Sequence, residues 1–155
     1  MEQRIAFTQT SPEGVKALAS LDACVRRSGL EATLIELVKS RVSQINGCAY
    51  CVDMHTKDAR AAGETEQRLH LLAVWREAPC YSDRERAALA WAESVTRLPD
   101  NDVPDALYTA TRQHFSDKEL ADLTFAVIAI NAWNRLAVPF RVPAGTYQPG
   151  KHHAA

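Results

Sequence analysis

Three residues in the stretch NGCAYCVDMHTKDARAAGE, residues 46–64, have the types and the spacing to do chemistry together: Cys48, Cys51 and His55. A helix turns about 100° per residue, so offsets of 0, 3 and 7 place them within about 60° of one another. Residues three apart on a helix lie about 5–6 Å apart, inside the range a disulfide closes, so the two thiols can cycle between dithiol and disulfide. In the first turn of a helix starting at Cys48, free N–H groups and the positive dipole end favour thiolate over thiol at both positions. His55, four residues after Cys51, is in reach of that sulfur as a hydrogen-bond partner and proton carrier. Two other uses of these residues stay open at this point. Thiolates and imidazole bind zinc, but a structural site takes four ligands, and only Cys80, His70 or Glu36 could approach in space to complete one. Buried thiols can also be plain core filling, the reading that suits the isolated Cys24 and Cys80 best.

The elements that must position these groups read as helices throughout, since nothing alternates with period two for long enough to suggest a sheet. A first helix starts at Ser11 as N-cap with Pro12 in its first turn, turns Val15, Leu18, Leu21 and Val25 inward, and stops by Gly29. A second runs from about Glu31 to Ile45 with Leu34, Leu37, Val38, Val42 and Ile45 as its buried face, and Asn46-Gly47 ends it. The cysteine helix follows from about Cys48 to Ala62, then one from about Thr65 to Arg76. Capping boxes SDRE at Ser82 and SDKE at Ser116 open two more, to about Thr96 and about Arg135, with a short helix at Pro104–His114 between them. Beyond Val138, prolines 139, 143 and 149 predict an extended arm. Folding the second helix back against the cysteine helix puts Glu36 about 15 Å before the turn and His55 about 12 Å after it, side by side. A carboxylate there orients the imidazole and stabilises its protonated form.

Composition bounds the whole. With 155 residues, 46% hydrophobic and 24% charged, the chain supports one domain, 1–155 with a core of about 11–145. Lys plus Arg is 18 against 19 for Asp plus Glu, which gives no electrostatic argument for nucleic acid or acidic lipid as a partner. The N-terminus lacks an apolar segment of signal-peptide length and no eighteen apolar residues run together, so the expectation is a soluble cytoplasmic protein. The helix LADLTFAVIAINAWNRLAV is apolar on nearly all sides, which calls for burial in the core or against another subunit. His152 and His153 belong to a loose terminus rather than a metal site.

Glu36, eleven intervening residues, then Cys48-x-x-Cys51-x-x-x-His55 resembles the AhpD-like alkylhydroperoxidases of the carboxymuconolactone decarboxylase superfamily. The segments RVSQINGCAYCVDMHTKDARAAGE, YSDRERAALAWAESVT and INAWNRLAVPFRVPAGTYQP carry the likeness across roughly residues 30–145. The resemblance implies an all-α bundle that assembles as a homo-oligomer, a trimer or hexamer, and a thiol peroxidase with no cofactor or metal of its own. It implies Cys51 as the peroxidatic thiol, Cys48 as the resolving thiol, and His55 with Glu36 as the proton relay. The expected partners are a peroxide substrate and an external dithiol, thioredoxin-like or lipoyl-bearing. A redox sensor or a decarboxylase-type member of the superfamily is the alternative. Better-studied members carry a second histidine between the cysteines where this chain has Tyr50, and a phenol cannot supply an imidazole's base near neutral pH.

Overall fold

A computed structural model describes residues 2–150, so His152 and His153 lie outside the described residues. Eight α-helices occur among the described residues: α1 Phe7–Thr10, α2 Pro12–Arg26, α3 Ala32–Ile45, α4 Ala49–Ala61, α5 Glu66–Leu71, α6 Asp83–Arg97, α7 Asp105–Arg112 and α8 Asp117–Phe140. No strand occurs among the described residues, and the all-α expectation holds. Helix α3 is the hub. It packs against α4, α6 and α8, and α8 packs in turn on α2 and α6.

The hub position explains why α3 is buried along most of its length rather than along one stripe. Leu34, Leu37, Val38 and Val42 fill the core, and the polar Glu36, Lys39, Ser40 and Ser43 are buried with them. Buried charge is costly unless paired. Lys39 meets Asp22 of α2, and Arg26 binds the same aspartate at 3.3 Å. On α6, Glu93 is buried and satisfied by Arg41 at 2.7 Å, Trp75 at 3.0 Å and Arg76 at 2.6 Å, a structural hub that the sequence pattern did not single out.

Both expected capping boxes form. The Ser82 and Ser116 side chains accept the amides of Glu85 and Glu119, whose carboxylates reach back to the serine amides at 2.8 Å. Ser11 precedes α2 as expected but makes no side-chain cap bond. The expected helix over 65–76 is shorter: α5 ends at Leu71 and a 3-10 turn covers Leu72–Val74. The last helix is longer. Instead of giving way after Val138, α8 runs through Pro139 to Phe140 because donors from elsewhere satisfy its final carbonyls: the Arg4 guanidinium donates to Pro139 O at 3.1 Å and the Arg4 amide to Phe140 O at 2.9 Å. The extended arm begins only after Arg141, which closes the helix in the left-handed conformation.

Helix α8 is long and apolar enough by composition to cross a membrane, yet Leu123, Ala126, Val127, Ala129 and Ile130 are fully buried in the chain's own core. Its use as a core helix accounts for part of that apolar character. Phe125 and Ile128 remain 49% and 45% exposed.

Candidate active site

The α3–α4 turn builds the site. Gly47 adopts φ +65°, a conformation that glycine takes without strain, and Cys48 becomes the N-cap of α4, its own amide donating back to Ser43 O at 3.0 Å. Cys48 and Cys51 are both buried, at 2% and 1% exposure, and unbridged. The hydrogen bond from the Cys51 thiol holds the Cys48 thiol down at about 7 against burial, helped by the open amides of Cys51 and Tyr50 and by the Asn134 side chain. Cys51 is pushed the other way, by that same bond, by burial and by the negative charge on Cys48. The pair therefore favours a thiolate on Cys48 over one on Cys51.

Glu36 and His55 come together as the antiparallel packing required. His55 Nδ1 donates to Glu36 Oε2 at 2.8 Å, with both side chains buried. Burial would raise Glu36, but the hydrogen bond and charge of His55, with Lys39 and Arg26 nearby, hold it below the usual carboxylate value. Because a carboxylate only accepts, Nδ1 carries a proton, and whenever the ring holds one proton Nε2 is the free base. That Nε2 is buried without a hydrogen-bond partner. The direct bond to the Cys51 sulfur expected from the i, i+4 spacing is therefore not made. Helical neighbours share a face without having to touch, and the Glu36 bond fixes the ring's orientation.

The remaining expected groups separate. Cys24 is exposed and Cys80 half-buried, which corrects the core-filling expectation for Cys24. The zinc set does not assemble on the cysteines. Among the described residues, the ligand-type atoms that converge are those of Glu36, His55 and Asp58, within 4.8 Å of one another. Tyr50 is half-buried, and burial together with the neighbouring thiol pair and Asp53 raises its phenol, so it is not a base at neutral pH. Three contributors escaped the sequence reading. Arg26 touches Glu36 Oε1 at 3.5 Å; Asp58 holds the Tyr147 hydroxyl of the C-terminal arm at 2.7 Å; and Asn134 accepts from Asn46 at 2.8 Å and donates to Ser43 Oγ at 3.1 Å beside the turn that carries Cys48. For Asn134 the available signal was an amide pair, Asn131 and Asn134, inside an otherwise apolar helix.

A helical bundle with a buried C-x-x-C at a helix start and a Glu–His pair beside it defines the class of AhpD-like folds. The profile of the carboxymuconolactone decarboxylase family matches residues 12–94, more than half of the chain, and the chain belongs to that family. It is 44% identical over 138 residues to the uncharacterised YdfG of Bacillus subtilis, covering 89% of this chain and 94% of YdfG. An Agrobacterium tumefaciens protein of unknown function, described as a candidate antioxidant defence protein AhpD, superposes with a TM-score of 0.90 at 46% identity, over 94% of this chain and all of that one. An uncharacterised peroxidase-related protein from Silicibacter sp. TM1040 follows at a TM-score of 0.78 and 25% identity, over 88% and 72% of the two chains.

Proposed function

We propose that the protein is a thiol-dependent peroxidase that reduces alkyl hydroperoxides or hydrogen peroxide through the Cys48–Cys51 pair. The observation that carries this reading is the placing, on one helix, of two buried, unbridged thiols and an imidazole whose Nε2 is buried and unoccupied, backed by a carboxylate. Cys48 thiolate takes the proton of Cys51, and the Cys51 sulfur attacks the peroxide. An S–O bond forms, the O–O bond breaks, and the leaving alkoxide or hydroxide takes the proton that His55 Nε2 has picked up from solvent. Cys48 then attacks the Cys51 sulfenic acid, the S–S bond forms and water leaves. An external dithiol, lipoyl-bearing or thioredoxin-like, supplies two electrons by exchange and restores the dithiol.

A second division of labour has one observation in its favour: Cys48 is the N-cap of α4, where open amides lower its thiol and favour it as the nucleophile. Single variants separate the two. With Cys51 attacking, Cys48→Ser retains one burst of peroxide consumption with a trappable sulfenic acid on Cys51, and Cys51→Ser abolishes the burst. The reverse pattern transfers the role to Cys48. Sustained peroxide consumption with a generic dithiol tests the function itself. Disulfide formation without turnover points to a sensor, and activity in the Cys48→Ser, Cys51→Ser double variant to decarboxylase-type chemistry. We place this activity in the cytoplasm, in a trimer or hexamer assembled through the exposed face of α8.

A further inference from the structure

Among the described residues, two buried side-chain polar atoms have no hydrogen-bond partner, Ser40 Oγ and His55 Nε2. Burying a polar group unpaired is unfavourable, so each calls for a reason. Ser40 is the more unusual of the two. A helical hydroxyl ordinarily donates to the carbonyl one turn back, and Ser20, Thr56, Thr111 and Thr124 do so at 2.7–2.8 Å. Ser40, fully buried in α3, does not. Two contacts fix what it faces. The Cys48 amide donates to Ser43 O at 3.0 Å and His55 Nδ1 to Glu36 Oε2 at 2.8 Å, so the antiparallel α3 and α4 match the run from Glu36 to Ser43 against the run from His55 to Cys48. Ser40 lies three residues before Ser43, and Cys51 three after Cys48, which puts them level. Positions 36, 40 and 43 share one face of α3 within about 60°, as 48, 51 and 55 do on α4. Ser40 therefore stands across the helix interface from Cys51, with His55 one turn further along, and the two unpartnered atoms flank the same sulfur.

We propose that Ser40 Oγ and His55 Nε2 are the two ends of a buried seat for a hydroperoxide group in front of Cys51, with Ser40 as a substrate-binding residue. A hydroperoxide is two bonded oxygens, and the two atoms divide them. The oxygen under attack lies between the Cys51 sulfur and Ser40, whose hydroxyl donates to it. The leaving oxygen lies at Nε2, which hands over the proton it carries. As the S–O bond forms and the O–O bond breaks, the Ser40 hydrogen bond stays on the same oxygen, now part of the Cys51 sulfenic acid, and Ser40 keeps its own proton throughout. A hydroxyl already spent on its own helix could not make that bond when the peroxide arrives. Leaving Ser40 Oγ unpaired costs stability in the resting protein and keeps a donor ready at the sulfur.

The inference rests on the reading of the cysteines as a peroxide-reactive pair, and its test separates the two. Oxidation of the thiols by hydrogen peroxide is followed through a single turnover by quenching and mass spectrometry, on wild type and Ser40→Ala, with iodoacetamide alkylation and melting temperature measured alongside. Alanine is the better helix former and leaves no unpaired hydroxyl, so Ser40→Ala is expected to melt at or above the wild-type temperature. Its oxidation should slow about 10-fold, the worth of one hydrogen bond to the reacting oxygen, while alkylation, which needs no bound peroxide, keeps its wild-type rate. A wild-type oxidation rate in Ser40→Ala overturns the proposal, and is the result that a seat holding water alone would give. Equal losses in oxidation and alkylation, a lowered melting temperature or a failure to fold overturn it too, because the hydroxyl then supports the thiol or the fold rather than the peroxide. A wild type that is oxidised once but does not turn over with a dithiol sinks the peroxidase reading and leaves the seat standing. Thiols that ignore peroxide altogether sink both.

Discussion

Glu36 keeps its charge in the core because His55, Lys39 and Arg26 all favour the carboxylate, and its pH behaviour follows. Its folded value lies below its ordinary 4.5, so the stability it contributes is present above that pH and is lost as pH falls through the depressed value. Glu36→Gln should therefore cost stability at neutral pH, with the gap to wild type closing under acid, as chemical denaturation at several pH values would measure. Function responds through His55. Replacing His55 by Ala removes the only group at the site with a free buried ring nitrogen, and the second-order rate with hydroperoxide should fall about 100-fold, which competition kinetics would read. The thiols give a third expectation at this scale. Alkylation should rise through about pH 7 in wild type, whereas an ordinary cysteine would respond only near 9. A single rise near 9 would remove the electrostatic basis of the site.

At the scale of elements, helix starts differ in what holds them. Ser82 and Ser116 both complete capping boxes, while Ser11 makes no side-chain cap bond. Ser82→Ala and Ser116→Ala should each cost about 1 kcal/mol, or about 2–4 °C in melting temperature, and Ser11→Ala almost nothing. Equal losses at all three would mean that the serines act through something other than capping. The C-terminal arm is an element of another kind. With no repeating hydrogen bonds of its own, it is tied to α4 by Asp53 accepting the Gly145 amide at 3.0 Å, Lys57 donating to Tyr147 O at 3.1 Å and the Tyr147 hydroxyl on Asp58. Lys57→Ala should raise hydrogen exchange in residues 143–150 and leave α4 protected, because α4 is held by α3 and α8.

For the whole molecule, α8 divides its apolar residues between two uses. Leu120, Leu123, Ala126, Val127, Ala129, Ile130 and Ala137 serve the chain's own core, and Phe125, Ile128 and Val138 are exposed. If the proposed oligomer forms on that face, the double variant Phe125→Glu, Ile128→Glu should scatter light as a monomer while keeping its helical circular dichroism. A wild type that is already monomeric would mean that these side chains are simply exposed apolar surface, which ordinary folded proteins tolerate.

Sequence alone determined the helical class, both capping boxes, the Asn46-Gly47 break and the one-sided placement of Cys48, Cys51 and His55, since each depends on residues within about one or two helical turns. The closeness of Glu36 and His55 was also legible, because a tight turn between antiparallel helices turns sequence distance into spatial distance. Tertiary structure decided what depends on distant segments. It carried α8 through Pro139 on donors from Arg4, brought Arg26 and Tyr147 to the Glu36–His55–Asp58 group, and spent His55 Nδ1 on Glu36 so that Nε2 meets no sulfur. It also placed Asn134, 83 or more residues along the chain, against the cysteine turn. Such contacts arise from packing three helices around α3, and a pattern that repeats every 3.6 residues carries no record of which distant amide will meet a given turn.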